Sequence, residues 1–365
     1  MTDSRPGKTG TVPDCGASSA GDCPWFSQRT EHEPQTPIPN PRVWSSTLLR
    51  GAWHGVRAFL KLMMIVAPVY TLVTVLKYTP VLKAFADFTM PFMKYFGLPG
   101  RAALALILGN VVNLYAGLGA ITALHLPKDQ LTVLGVMLLL SHSQILETAV
   151  FFQMRAKWWL LWAIRLLVSL LAGIGLGRLL VRPAAALPTP GTVSDLAGRL
   201  SQLPWQGAGP AALDWALGLF STAWKMLLVL VGIFILLEFA RSYGVLEKML
   251  TAVNRVTRHI GLSREAGLPW LGGNVFGIVF GGGLIIESTH AHKLSPRQVT
   301  LVATFLALSH GLFEDTALFV VLGANLFWIT IPRIVLAVIV TWILSRILKE
   351  GSRTGVNRAY GTKVS

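Results

Sequence analysis

The sequence predicts an all-α polytopic membrane protein built from two homologous halves with broken or re-entrant helices, and three observations carry that prediction. Only 13% of the 365 residues are charged while 53% are apolar, whereas about a quarter of a soluble protein is charged. Apolar runs of about 20 residues recur, the length that crosses ~30 Å of hydrocarbon, and the short alternating strands of a β-barrel are absent. Finally, polar residues inside two of those runs repeat in register.

Taken in order, residues 1–43 are rich in Pro, Gly, Ser and Thr and read as a disordered tail. The tail has neither a signal-peptide nor a lipid-anchor pattern. Cys15 and Cys23 lie in it, too far apart for a Cys-x-x-Cys metal pair and without partner cysteines. Trp44 to Lys61 mixes Trp with Arg and Lys, which suits a membrane interface. A first span follows at Leu62 to Leu76, then an amphipathic interfacial stretch at Tyr78 to Gly97. Arg101 to Leu124 is apolar but interrupted by Gly109, Asn110, Asn113, Gly117 and Gly119. Such a segment suits a broken helix or re-entrant hairpin, whose exposed backbone must face protein or a cavity. Spans at Leu131 to Phe152 and Trp158 to Leu180 complete a first half, 44–181.

Residues 182–212 read as a linker, punctuated by Pro183, Pro188, Pro190, Pro204 and Pro210. The plan then recurs over 213–349: a span at Leu213 to Phe239, a basic amphipathic stretch at Arg241 to Arg264, and a Gly-Asn-rich segment at Leu268 to Ile286. Spans at Val299 to Leu322 and Phe327 to Leu348 follow, and a basic tail, 350–365, ends the chain. Polar positions keep register. Lys61 and Lys225, Gly97 and Gly261, and Asn110 and Asn274 are each 164 apart. Beyond an insertion near Glu287-Ser288-Thr289-His290-Ala291-His292 the spacing becomes 168, pairing Gln130 with Gln298, Thr132 with Thr300, His142 with His310, Glu147 with Asp315, Thr148 with Thr316 and Arg165 with Arg333.

If the Gly-Asn segment crosses fully, each half has four spans and the halves are parallel. If it is re-entrant, each half crosses three times and the halves are inverted. The net charge of +15 reads as cytoplasmic flanks of membrane spans, not as a nucleic-acid footprint, since no nucleic-acid-reading motif is present. Its distribution prefers the inverted arrangement, with Lys77, Lys83 and Lys94 counting against it.

Ionisable residues at mid-membrane depth are expensive unless they face protein or water. Ser141, His142, Glu147 and Thr148 in one half, and Ser309, His310, Glu314, Asp315 and Thr316 in the other, are therefore the candidate substrate-binding set. Residues five apart on a regular helix point about 140° apart, so His142 and Glu147 converge only if the helix unwinds between them. His310 and Glu314, four apart, share a face. Asn110, Asn113 and Asn274 offer donors and acceptors that would either line a path or bond across a close helix-helix contact. Arg165 is expected to anchor headgroups and Arg333 to pair with a carboxylate. Glu287, His290 and His292 have the residue types of a metal cluster, but beside Lys293 and Arg297 they read first as a polar loop at the membrane edge. No zinc-peptidase or phosphate-loop motif is present, and no nucleophile-base-orienter set is legible, so an enzyme is not expected.

Leu108-Gly109-Asn110 and Gly272-Gly273-Asn274-Val275, each followed by a polar corner and a span with a polar break, resemble the nucleoside recognition, or Gate, domain. That domain occurs in spore maturation membrane proteins, in the membrane part of ferrous-iron transporters, and distantly in concentrative nucleoside transporters. Two Gate-like halves would cover residues 56–181 and 215–349. The resemblance implies an inner-membrane protein that moves or senses a small solute. Where the iron transporters carry a Cys-containing motif, this chain has Ser141-His142 and Ser309-His310.

The resulting expectation is a multi-pass transporter or permease of the cell inner membrane for a nucleoside-like or ionic solute, with proton coupling suggested by the His-carboxylate pairs. The alternatives are a non-transporting sensor or assembly partner, and a divalent metal transporter; the sequence leaves the metal question open. No cofactor is expected. The expected partners are the solute and the lipid bilayer, with a homo-oligomer as a further option and nucleic acid excluded.

Overall fold

The structure is a computed structural model that describes residues 41–77, 79–181, 208–245, 248–250, 253, 257–290 and 294–348. The chain divides into two compact units, Met1–Trp44 and Ser45–Ser365, and everything below concerns the second. The tail 1–40, both cysteines, most of the linker, His292 and the C-terminal tail lie outside the described residues.

Every regular element among the described residues is helical. Helix α1 (Pro41–Lys77) is followed by α2 (Pro80–Met93) and a 3-10 turn at Lys94–Phe96. Next come α3 (Ala102–Val111), α4 (Leu114–Leu124), α5 (Lys128–Ser141), α6 (Gln144–Gln153) and α7 (Trp158–Leu180). The order then recurs with α8 (Ala208–Ser242), α9 (Gly267–Phe276), α10 (Ile278–His290), α11 (Pro296–Ser309), α12 (Glu314–Val321) and α13 (Leu326–Ile347). Among the described residues, six stretches are long and apolar enough to cross a membrane: 44–77, 128–153, 158–180, 212–242, 296–321 and 326–347.

Two sequence expectations need correction. The basic stretch Trp44 to Lys61 and the first span form one continuous helix, α1, which runs to Lys77 through Gly51, Gly55 and Pro68 without a break. Glu287 lies exposed on α10, which runs to His290, so the start of the insertion is helix and not loop.

Helices α3 and α4 are 10 and 11 residues long, about 15–17 Å each at 1.5 Å per residue and half the hydrocarbon thickness. They fold back on each other at Val112-Asn113. Asn113 accepts the Ala116 N–H at 2.9 Å, capping α4, which satisfies one of the orphan donors at a helix start. A Cβ on Gly117 would lie 3.0 Å from the Gly109 Cα, so glycine lets the two arms touch. Helices α9 and α10 repeat this, with Gly281 against Gly273.

The long helices α1 and α8 cross antiparallel at small residues. A Cβ on Gly51 would meet the Ile235 Cα at 2.6 Å, one on Gly55 would meet Val231, and Arg50 pairs with Glu238 at 3.1 Å. At the other end of the same crossing, the Trp215 indole donates to Thr71 at 3.2 Å. Residues 51 and 215, and 71 and 235, are each 164 apart, so the two ends of this crossing exchange equivalent positions. Leu60, Met64, Leu72, Phe220, Trp224, Leu228, Ile339 and Ile343 are exposed, forming the apolar exterior that lipid requires. The innermost layer is α5 and α11, whose residues 131–141 and 298–309 are all buried.

Candidate functional site

The two innermost helices stop at equivalent points for the same local reason. The Ser141 hydroxyl donates to the Met137 carbonyl at 2.8 Å, and the His142 Nδ1 lies 2.9 Å from the Leu138 carbonyl. Side chains thus occupy carbonyls at the helix end, a competition Ser and His readily enter. His142 then turns extended, at φ −62° and ψ 164°, and Ser143 is left-handed at φ 51°. The second half repeats the break. Ser309 donates to the Phe305 carbonyl at 2.9 Å, His310 Nδ1 lies 2.6 Å from the Leu306 carbonyl, His310 has φ −60° and ψ 160°, and Gly311 is left-handed at φ 60°.

Each break exposes carbonyls that a neighbouring helix must satisfy, since no water is available in a hydrocarbon setting. On α7, Arg165 donates from Nε to the Leu140 carbonyl at 3.3 Å and from Nη2 to the His142 carbonyl at 2.6 Å. On α13, Arg333 makes the same pair of bonds to the carbonyls of Leu308 and His310. Both arginines are fully buried, at 0% exposure. A guanidinium at a helix C-terminus also complements the local dipole. Headgroup anchoring by Arg165 is therefore overturned: a headgroup cannot reach a side chain with no exposed surface.

The breaks aim both imidazoles at one point. His142 Nε2 and His310 Nε2 are 3.2 Å apart. The Glu147 Oε1 lies 3.2 Å from the first and 3.4 Å from the second, and its Oε2 lies 3.0 Å from the Arg165 Nη1. His142 and His310 are 4% exposed and Glu147 is 2% exposed. The unwinding at His142-Ser143 supplies the turn that lets residues five apart meet. These three side chains form the one group of potential metal ligands of its kind among the described residues.

The remaining candidates take other places. Glu314 does not join His310, because α12 begins at Glu314 and the four-residue helical spacing assumed between them does not exist. Its carboxylate accepts the Tyr115 hydroxyl at 3.4 Å instead. Asp315 is buried with a carboxylate oxygen against Gly311, and forms no ion pair with Arg333, contrary to the pairing expected of that arginine. Asn274 donates to the Trp270 carbonyl at 2.9 Å and accepts from Ser309 at 2.8 Å. Asn110 donates to the Leu106 carbonyl at 2.8 Å while its Oδ1 is buried without a hydrogen-bond partner. Asn113 is the cap of α4 already described. The hydroxyls of Thr148 and Thr316 are buried and unpartnered, as are both amide atoms of Gln144.

Sequence reasoning missed Ser169, which donates to the Met137 carbonyl at 2.8 Å and accepts from Ser141 at 3.1 Å, and it missed Gln144 and Tyr115. Nothing in the local sequence marks Ser169, since its second-half counterpart is Ala337. Arg165 and Arg333 were legible as a repeated pair, and their place inside apolar runs was the signal for burial.

Fold and site together define a polytopic all-α membrane protein with a buried polar centre. Within that class, residues 59–158 match the family described as "Gate: Nucleoside recognition", a stretch that falls in the first half. The chain is also 28% identical over 318 residues to the uncharacterised membrane protein YvoD of Bacillus subtilis strain 168, covering 85% of this chain and 97% of that relative. No solved structure matches.

Proposed function

We propose that this protein is a permease of the cell inner membrane, made of two inverted Gate-like halves, 44–181 and 213–349, that carry a small solute through the centre where the two broken helices meet. The observation that carries the reading is the facing pair of helix breaks at His142 and His310. Broken helices abutting in the core of a duplicated membrane fold are how many transporters build a binding site near the bilayer midplane. The antiparallel crossing of α1 with α8 supports inversion, because equivalent spans that run in opposite directions belong to halves of opposite orientation. The half-thickness hairpins α3–α4 and α9–α10 support it too, since each enters and leaves on one side.

The buried His-Glu-His cluster also supports proton coupling, as His and carboxylate side chains inside a membrane are the groups that build proton relays. Purified protein reconstituted in liposomes tests the reading. Solute entry should be saturable and should fall at least ~10-fold in His310→Gln, the change expected when a binding contact worth about 1.4 kcal/mol or more is lost. Collapse of an imposed proton gradient should slow it. Entry that is unchanged in the variant, or absent for nucleosides, metal ions and organic anions alike, overturns the reading.

A further inference from the structure

We infer that the cluster of His142, His310 and Glu147 is a binding site for a divalent first-row transition-metal ion, which makes such an ion the transported solute. The inference rests on the permease reading for transport, but the site itself stands on geometry.

The hydrogen bonds fix the tautomers. A backbone carbonyl only accepts, so each Nδ1 facing one must carry its hydrogen, and both do: His142 toward Leu138 and His310 toward Leu306. Each neutral imidazole therefore presents a bare Nε2 lone pair. The two Nε2 atoms are 3.2 Å apart, and the Glu147 Oε1 stands 3.2 and 3.4 Å away. Three acceptors converge on one point with no donor among them. In a site this buried, such an arrangement is strongly repulsive unless a cation sits between them.

A proton and a metal ion are the two cations to weigh. A proton on one Nε2 would make charge-assisted hydrogen bonds, which run at about 2.7–2.9 Å. All three separations are longer than that. For a metal ion bound at about 2.0–2.2 Å in tetrahedral geometry, neighbouring ligand atoms lie roughly 3.3–3.5 Å apart. The sides of 3.2, 3.2 and 3.4 Å lie nearer the metal triangle than the charge-assisted range. Two imidazoles and one carboxylate select first-row divalent ions such as zinc, iron or cobalt over calcium and magnesium, which take oxygen ligands.

The surroundings are those of a ligand set. Each imidazole is oriented by its Nδ1–H to a carbonyl, and Arg165 holds the outer oxygen of Glu147. Such outer contacts tune ligand basicity and orientation in metal sites. With three protein ligands, further coordination positions stay available to water, which suits an ion that must enter and leave.

The test is a cobalt titration of the full chain, purified in detergent and stripped with chelator. Co2+ should bind one ion per chain and give visible absorption of low-symmetry nitrogen-oxygen coordination, and Zn2+ should displace it. His310→Gln should weaken binding at least ~100-fold while keeping the thermal unfolding transition; His142→Gln should do the same. His259→Gln, at an exposed histidine away from the cluster, should bind as the parent does. Unchanged Co2+ affinity in both cluster variants, or no binding to the parent protein, overturns the site and leaves a shared proton between the imidazoles. Proteoliposomes with a metal-sensitive dye inside separate the two readings. Binding without ion entry keeps the site and overturns metal transport. Entry of another solute into liposomes, with no Co2+ binding, keeps the permease and overturns this inference.

Discussion

The centre of the molecule is built twice, around His142 and around His310, and the two copies agree in backbone but differ in their acids. Both have Ser-His at the end of a helix, an extended His, a left-handed residue next, and an arginine from a neighbouring helix on the exposed carbonyls. In the first copy Glu147 reaches across the break to both imidazoles and to Arg165. In the second, Asp315 is one methylene shorter, rests against Gly311, and forms no ion pair with Arg333 like the 3.0 Å contact between Glu147 and Arg165. The symmetric part of the design is thus the scaffold that aims two imidazoles, and the asymmetric part is a single bridging carboxylate.

That contrast can be broken most severely at the arginines. Arg165→Leu and Arg333→Leu should both destabilise the fold, since each strips two buried carbonyls of a charged donor, at about 1.5–3 kcal/mol per bond. Arg165→Leu should cost more, because it also strands Glu147. Thermal unfolding of the two variants in detergent checks this, and equal losses would mean that Glu147 does not depend on Arg165. Next in size, Glu147→Ala should cost about 3–5 kcal/mol by leaving Arg165 without its counter-charge. Asp315→Ala, which breaks no ion pair, should cost less than half of that in the same assay.

The left-handed residues give a smaller and unequal pair. Gly311→Ala should lose about 1–2 kcal/mol of stability for placing a Cβ in that backbone conformation, with more from contact between that Cβ and the Asp315 carboxylate. Ser143→Gly relieves the same strain but gives up the bond from the Leu114 N–H to the Ser143 hydroxyl, 3.3 Å long, so its unfolding temperature should move little. Smallest of all, Asp315→Glu supplies the missing methylene beside Arg333. Its stability should stay within about 1 kcal/mol of the parent, the range of a tolerated polar swap. A loss as large as that of Glu147→Ala would show that the second copy has no room for a longer acid.

Much of this centre was legible in the sequence. Serine and histidine at equal spacing in two apolar runs marked the breaks, and a five-residue gap to Glu147 required unwinding before any contact could form. The Gly- and Asn-rich segments Arg101 to Leu124 and Leu268 to Ile286 marked broken or re-entrant helices. What the sequence hid depends on reach and on partners distant in the chain. Glutamate and aspartate read as equivalent, yet one methylene decides which bridges the imidazoles. Glu314 read as a partner of His310 because helical spacing was carried through a turn that is not helical. Arg165 read as an interfacial anchor because its partners lie 18 to 25 residues away on another helix. The continuous α1 was hidden because basic residues at a membrane edge look alike whether the helix begins there or passes through.

The grip of each guanidinium on a histidine's own carbonyl has a mechanical corollary. Arg165 and Arg333 tie the backbone of each imidazole to α7 and α13, so sliding either outer helix tows its imidazole along. A displacement of even 1 Å would open the gap between the rings and loosen whatever they hold, which makes those two helices levers coupled to the heart of the molecule.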